Sequence, residues 1–253
     1  MRKSILGLSA VSLIALATPA FAQDEAESSI KITGSAALVT DYRFRGVSQS
    51  GQNAAVQAGV TLNHDSGFYV GTWGSSVNFA GSAEIDLFAG YAKEIAPGVT
   101  ADIGLLYYLY PKHSGGVYSP TDFYEPYVNL TGAVGPATVK VGVNYAWEQD
   151  ALGNLKTGTG KASSFYFHAE PSIAIPNTPI GLNAHVGYAV SDAFPANATL
   201  DWSNTKGNTW DYSIGATATW RNLTFGVSYV DTDIKPASRG VDGGVVFSLT
   251  AAF

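Results

Sequence analysis

From residue 31 onward the chain alternates apolar residues with small or polar ones at a period of two. Leu223, Phe225, Val227 and Tyr229 share one parity, and Thr224, Gly226 and Ser228 the other. Trp210, Tyr212, Ile214, Ala216, Ala218 and Trp220 stand in the same way against Asp211, Ser213, Gly215, Thr217 and Thr219. Val139, Val141, Val143, Tyr145 and Trp147 oppose Lys140, Gly142, Asn144 and Glu148. Strict alternation predicts a strand with two unlike faces, because successive side chains point to opposite sides of a sheet. The same test along the chain predicts about twelve strands of about ten residues. They start near Ile32, Ala54, Phe68, Glu84, Val99, Phe123, Ala137, Ser163, Ile180, Thr209, Leu223 and Gly243.

The joints between these strands alternate as well. Those after even-numbered strands, at 65–67, 96–98, 134–136, 176–179 and 221–222, are tight and carry turn residues. Those after odd-numbered strands, at 46–53, 111–122, 150–162, 192–208 and 234–242, are long and rich in Gly, Ser, Pro, Asn and Lys, with 80–83 the short exception. This rhythm predicts an all-β, antiparallel, up-and-down transmembrane β-barrel of about twelve strands. An even count places both termini on the rim of the tight turns, the periplasmic one. Closure also removes the free sheet edges that hydrocarbon cannot satisfy.

Composition decides between a membrane barrel and a soluble one. Of the 253 residues only 13% are charged, while 46% are hydrophobic and 28 are Gly. A soluble barrel would wet its outer parity with Lys and Glu, whereas here the non-apolar parity is mostly Gly, Ser, Thr and Asn. Trp147, Trp210, Trp220, Tyr188, Tyr229, Tyr107, Tyr91 and Tyr42 fall on the apolar parity, many near strand ends, as a headgroup-level girdle requires. The net charge of -6 and the lack of a Lys/Arg block exclude a phosphate-tracking surface, so nucleic acid is not an expected partner. With no Cys there is neither a disulfide frame nor a thiolate site.

The first residues are a targeting signal. Arg2 and Lys3, an apolar run from Ile5 to Ala17, and Ala20-Phe21-Ala22 make a signal peptide over 1–22, followed by a short tail at 23–30 and a barrel over 31–253. Export and the barrel pattern together point to the outer membrane of a Gram-negative cell.

With the apolar parity facing lipid, the lumen receives Arg43, Arg45, Asp86, Asp102, Glu125, Lys140, Glu170 and Asp211, alongside Asp41, Asn144, Tyr166, His168, Asn183 and His185. These eight charged residues are the expected pore lining, and acids outnumber bases, which tilts the preference toward cations. The alternative for each is a structural ion pair in a filled lumen, with Arg43 and Arg45 meeting Asp86, Asp102 or Glu125. Ser164, His168, Glu170 and His185 form the sole enzyme-like set. They share the lumen parity, away from any membrane lipid substrate, so catalysis is not expected. Two histidines without a third ligand do not make a metal site, and no phosphate loop, dinucleotide fingerprint or zinc-protease motif occurs, so no cofactor or metal is expected. Val245, Phe247, Leu249, Ala251 and Phe253 share one parity to the end of the chain. The terminal Phe253 resembles the signal by which outer-membrane barrels are recognised by the assembly machinery.

The run Thr40-Asp41-Tyr42-Arg43-Phe44-Arg45-Gly46-Val47-Ser48-Gln49 resembles the opening motif of the TorF-family porins of Gram-negative bacteria. Further similar pieces are Gly67 to Trp73, Glu84 to Leu87, Tyr107 to Pro111 and Tyr229 to Asp233, so the resemblance spans the mature chain. It implies an outer-membrane barrel with a pore. Some relatives carry a cysteine pair before the last strand, which this chain lacks, leaving that loop untied. Residues and resemblance together lead to the expectation of a porin-like channel for passive diffusion of small polar or ionic solutes. Its partners would be outer-membrane lipid, the assembly machinery and small solutes, with homo-oligomers left open. An outer-membrane lipid enzyme and a structural or adhesive barrel with a plugged lumen are the rival classes.

Overall fold

The computed structural model describes residues 28–79, 82–111, 121–154, 160–191, 193–194, 208–234 and 240–253. The expected signal peptide, most of the tail and much of the long loops at 111–122 and 192–208 lie outside these residues. Twelve strands close into one antiparallel barrel. They are β1 (Ile30–Val39), β2 (Ala55–His64), β3 (Phe68–Ser76), β4 (Ala83–Ala96), β5 (Val99–Leu109) and β6 (Phe123–Val134). The second half comprises β7 (Ala137–Ala146), β8 (Ser164–Ala174), β9 (Ile180–Ser191), β10 (Asn208–Trp220), β11 (Leu223–Thr232) and β12 (Gly244–Ala252). Each pairs with its chain neighbours, and β1 closes on β12 with Ser35 opposite Ala252 and Val39 opposite Ser248. Every strand begins within two residues of its expected start. Glu148 falls beyond the end of β7 and is exposed, because that strand stops at Ala146.

The apolar parity faces outward. Leu62, Leu105, Val141, Leu182, Phe225, Phe247 and Leu249 are exposed large hydrophobics, while their polar neighbours turn inward. An exterior of this kind has acyl chains as its solvent. Aromatic side chains mark its long-loop rim: Tyr107 stacks on Tyr124, and Tyr188 meets Trp210 at a tilt, each pair with centroids 4.4 Å apart. The tight turns use left-handed backbone where the chain reverses, as at Gly98 (φ 76°) and Gly135 (φ 61°). β1 begins and β12 ends at the tight-turn rim, where the Gly34 amide donates to the Phe253 carbonyl at 2.7 Å.

The interior is lopsided. Trp73, Phe88, Leu106, Tyr108, Phe123 and Tyr127, all on β3 to β6, form an apolar cluster inside the barrel. The inward positions of β10 to β12 are small instead, including Ser213, Gly215, Thr217, Gly226, Ser228 and Ser248. The large rings fit because glycines lie beneath them: a Cβ on Gly90 or Gly104 would overlap the phenol oxygen of Tyr69 or Tyr127. Those two phenols hydrogen-bond each other, and Tyr69 donates onward to Asp102 at 2.6 Å. Gly104→Leu is therefore expected to cost about 1–3 kcal/mol through overpacking. A lower urea midpoint for the barrel refolded in lipid vesicles would register it, and an unchanged midpoint would show that the ring pair is not held there.

Candidate functional site

The site is built around the connection between β1 and β2. The alternating run from Asp41 to Arg45 reads as a continuation of the first strand, but β1 stops at Val39. Residues 40–54 instead fold into the lumen as a small hairpin, Arg43–Phe44 against Val47–Ser48. Its tip turns through left-handed backbone at Arg45 (φ 48°) and Gly46 (φ 82°). Gly46 packs so closely on the inner wall that a Cβ there would overlap the Thr232 side chain. Tyr42, expected in the lipid-facing girdle, goes with this loop into the interior, where it is 2% exposed. The reason is chemical: its phenol donates to Glu84 Oε1 at 2.6 Å and its ring meets Trp73 edge-on. Tyr110 donates to the other Glu84 oxygen at 2.7 Å. Burial, reinforced by the Glu84 carboxylate, pushes both phenols well above their usual range, so they remain donors.

The inward loop is fastened all around the barrel. Arg45 Nη2 donates to both oxygens of Glu125, at 2.7 and 2.9 Å, while its guanidinium lies 4.0 Å from the Tyr166 ring centroid. Glu125, fully buried, also accepts from Tyr108 at 3.2 Å and Asn144 at 3.1 Å. Arg43 pairs with Asp41 at 2.5 Å and donates to the carbonyls of Gly46, Gly240 and Asp242. The Ser48 amide donates to the Gly240 carbonyl at 2.7 Å, and Gln52 to the Asp242 carboxylate at 3.0 Å. Ser48 and Ser50 hydroxyls both donate to Asp41. Charge-assisted bonds of this kind, away from bulk water, hold geometry more firmly than neutral surface contacts.

On the opposite wall a second charged chain runs along β7 to β10. Lys140 pairs with Glu170 at 2.5 Å, and Glu170 lies 3.1 Å from His168 Nδ1 and 3.8 Å from His185 Nδ1. His185 Nε2 meets Asp211 at 2.9 Å, and Asp211 accepts from the Tyr166 phenol. Tyr166 thus joins the two systems, carrying Arg45 on its face and Asp211 at its hydroxyl. Beneath the inward loop lies a cavity of about 220 Å³.

All eight expected lining residues lie inside the barrel, but only some meet this cavity. Arg43, Arg45, Glu170 and Asp211 line it, whereas Asp86, Asp102, Glu125 and Lys140 do not. Asp86, 1% exposed, stands beside Glu84 on β4, behind the inward loop. Asp102 is held by Tyr69 and Asn129 near the aromatic cluster. The surplus of acids is real, but it is mostly set apart from the open space. Of the structural ion pairs that stood as the alternative to pore lining, Arg45 with Glu125 is present, while Arg43 pairs with its own loop's Asp41. Glu84 and Tyr110, which anchor the loop, fall within the pieces that carry the family resemblance but not within the expected lining. Glu84 could have been found as the residue two before Asp86 on the same parity. Ser164 Oγ has no hydrogen-bond partner and so does not engage either histidine. Among the described residues, no group of three or more His, Asp or Glu side chains is arranged to hold a metal ion.

Residues 23–253 match the family described as bacterial protein of unknown function, Gcw_chp. No curated protein matches the chain. Among solved structures, the KdgM porin superposes with a TM-score of 0.55 at 7% identity, covering 87% of this chain and 98% of its own. An outer membrane channel from Pseudomonas putida F1 gives a TM-score of 0.49 at 9% identity, covering 92% of this chain and 99% of its own. At these identities the likeness is one of fold.

Proposed function

We infer that this chain, which belongs to the Gcw_chp family of bacterial proteins of unknown function, is an outer-membrane channel through which small polar solutes diffuse passively. The observation that carries this reading is the closed barrel with an apolar exterior and a polar cavity under an inward-folded loop. The porin-like fold and the resemblance of the first motif to the TorF-family porins support it. The rim of tight turns, where β1 begins and β12 ends, is assigned to the periplasm, and the long connections to the cell exterior.

Solutes pass along the side of the lumen where wall residues are small, between the inward loop and β9 to β12, because the aromatic cluster fills the other side. The driving force is the concentration gradient. Lumen charge tunes the flux: Arg43 and Arg45 on the loop face Glu170 and Asp211 on the wall, so the field across the cavity is transverse and nearly balanced. Cation preference is accordingly weak, since Glu84 and Asp86 sit behind the loop. An enzymatic role has no support from Ser164, whose hydroxyl lies apart from His168 and His185. The contacts of the inward loop around the barrel favour one second reading, a structural barrel with a filled lumen. Planar-bilayer recording of the refolded chain separates the two. Discrete potassium chloride conductance steps with a reversal potential close to zero under a salt gradient are expected, and a folded barrel that never conducts would leave the filled-lumen reading.

A further inference from the structure

The cavity has two chemically different sides. On β9 to β12, the side chains of Asn183, Ser213, Thr217, Ser228 and Ser248 line it, and among the described residues none of the five has a hydrogen-bond partner. The facing side is closed by Phe44, Tyr166 and the guanidinium of Arg45, which stacks on both rings at 4.8 and 4.0 Å. The charged groups that border the space are already engaged within the protein: Arg45 pairs with Glu125, Arg43 with Asp41 and Glu170 with Lys140, while Asp211 is hydrogen-bonded by His185 and the Tyr166 hydroxyl.

We propose that this cavity is a binding station for a neutral, hydroxyl-rich solute of about monosaccharide size. The proposal rests on the channel reading and names the solute class for that site. Three features of the chemistry select it. A charged solute meets only charged groups that are already engaged in ion pairs or hydrogen bonds, so it must displace one of those partners or leave its own charge uncompensated. Serine and threonine hydroxyls and an asparagine amide both donate and accept, as do solute hydroxyls, whereas an ammonium only donates and a carboxylate only accepts. Such a solute can exchange hydrogen bonds with the hydroxyl and amide side chains of this wall in place of water. The volume sets the size. A space of 220 Å³ corresponds to about seven waters at their liquid share, or a solute of about a dozen non-hydrogen atoms.

The test uses the full mature chain, refolded, with glucose, glucosamine and gluconate as probes of nearly equal size and different charge. In planar bilayers, glucose is expected to reduce the potassium chloride current saturably, and more strongly than glucosamine or gluconate. Saturation-transfer NMR on the detergent-folded barrel should show the same order. Ser228→Val with Ser248→Val, and separately Asn183→Leu, should each weaken the glucose effect about tenfold or more, with folding checked by heat-modifiable gel mobility. A conducting barrel that neither binds nor is blocked by glucose overturns the proposal and leaves the channel reading standing. Stronger block by gluconate or glucosamine also overturns it. Glucose binding to a barrel that never conducts upholds the site and removes the channel reading instead.

Discussion

Replacing Glu125 by Gln is expected to release the inward loop, raising single-channel conductance and shifting the current toward anions. Glu125 is fully buried and is the carboxylate that holds the Arg45 guanidinium, whose own side chain is 6% exposed. Without it a buried cation is left facing neutral partners, a loss of about 3 kcal/mol when one member of a buried pair is removed. At about 1.4 kcal/mol per factor of ten, that is about a hundredfold in the ratio of docked to undocked loop. Tyr42 bonded to Glu84, and Arg43 bonded to the carbonyls of Gly240 and Asp242, hold the flanks of the loop, so its tip is the part that should swing. Arg45→Ala should widen the path without the anion shift, because the unmatched charge is then gone from the guanidinium side. Measuring conductance and reversal potential for both variants separates a wedge from a charge filter. Equal, wild-type-like currents in both would show that this ion pair does not govern the lumen.

The second large effect concerns the outer wall. Leu249 faces outward on β12 and its neighbour Ser248 faces the cavity. An arginine at the lipid face near mid-membrane costs about 2–4 kcal/mol, whereas a lumen substitution mainly tunes selectivity. Leu249→Arg should therefore lower the urea midpoint of the vesicle-inserted barrel strongly, and Ser248→Lys should leave it nearly unchanged while altering ion preference. Tryptophan fluorescence reports both, since Trp210 and Trp220 stand on the exposed face. If the serine variant proved the more damaging one, the assignment of inside and outside would be reversed.

The contrast between the two tests mirrors how each feature is encoded. The facing of Leu249 and Ser248 follows from position parity in a single strand. The role of Glu125 follows from a partner 80 residues away in the chain. The hairpin at Arg43–Phe44 and Val47–Ser48 shows where parity misleads. Its residues alternate as well as any strand does, but both of its faces are satisfied by lumen groups rather than by lipid on one side. Parity misplaces Tyr42 for the same reason, since an amphipathic ring suits a headgroup layer and a carboxylate-lined interior equally. Asp86 and Asp102 were legible as inward residues, but their distance from the open cavity depends on where Tyr69, Tyr42 and the loop settle.

What the chain determined by itself was the solvent of each residue in the wall: a period of two needs no long-range information, and lipid on one side with polar groups on the other makes each strand state its own orientation. Tight and long joints then imposed the antiparallel order and the common rim at which β1 begins and β12 ends. The tertiary structure decided the fate of residues 40–54, the division of the lumen into an aromatic half and a hydroxyl-lined half, and the pairing of Arg45 with Glu125 and of His185 with Asp211. The loop and the pairing of Arg45 with Glu125 depend on contacts across the lumen, and the meeting of His185 with Asp211 on the exact register of two neighbouring strands, neither of which a period of two within one strand carries.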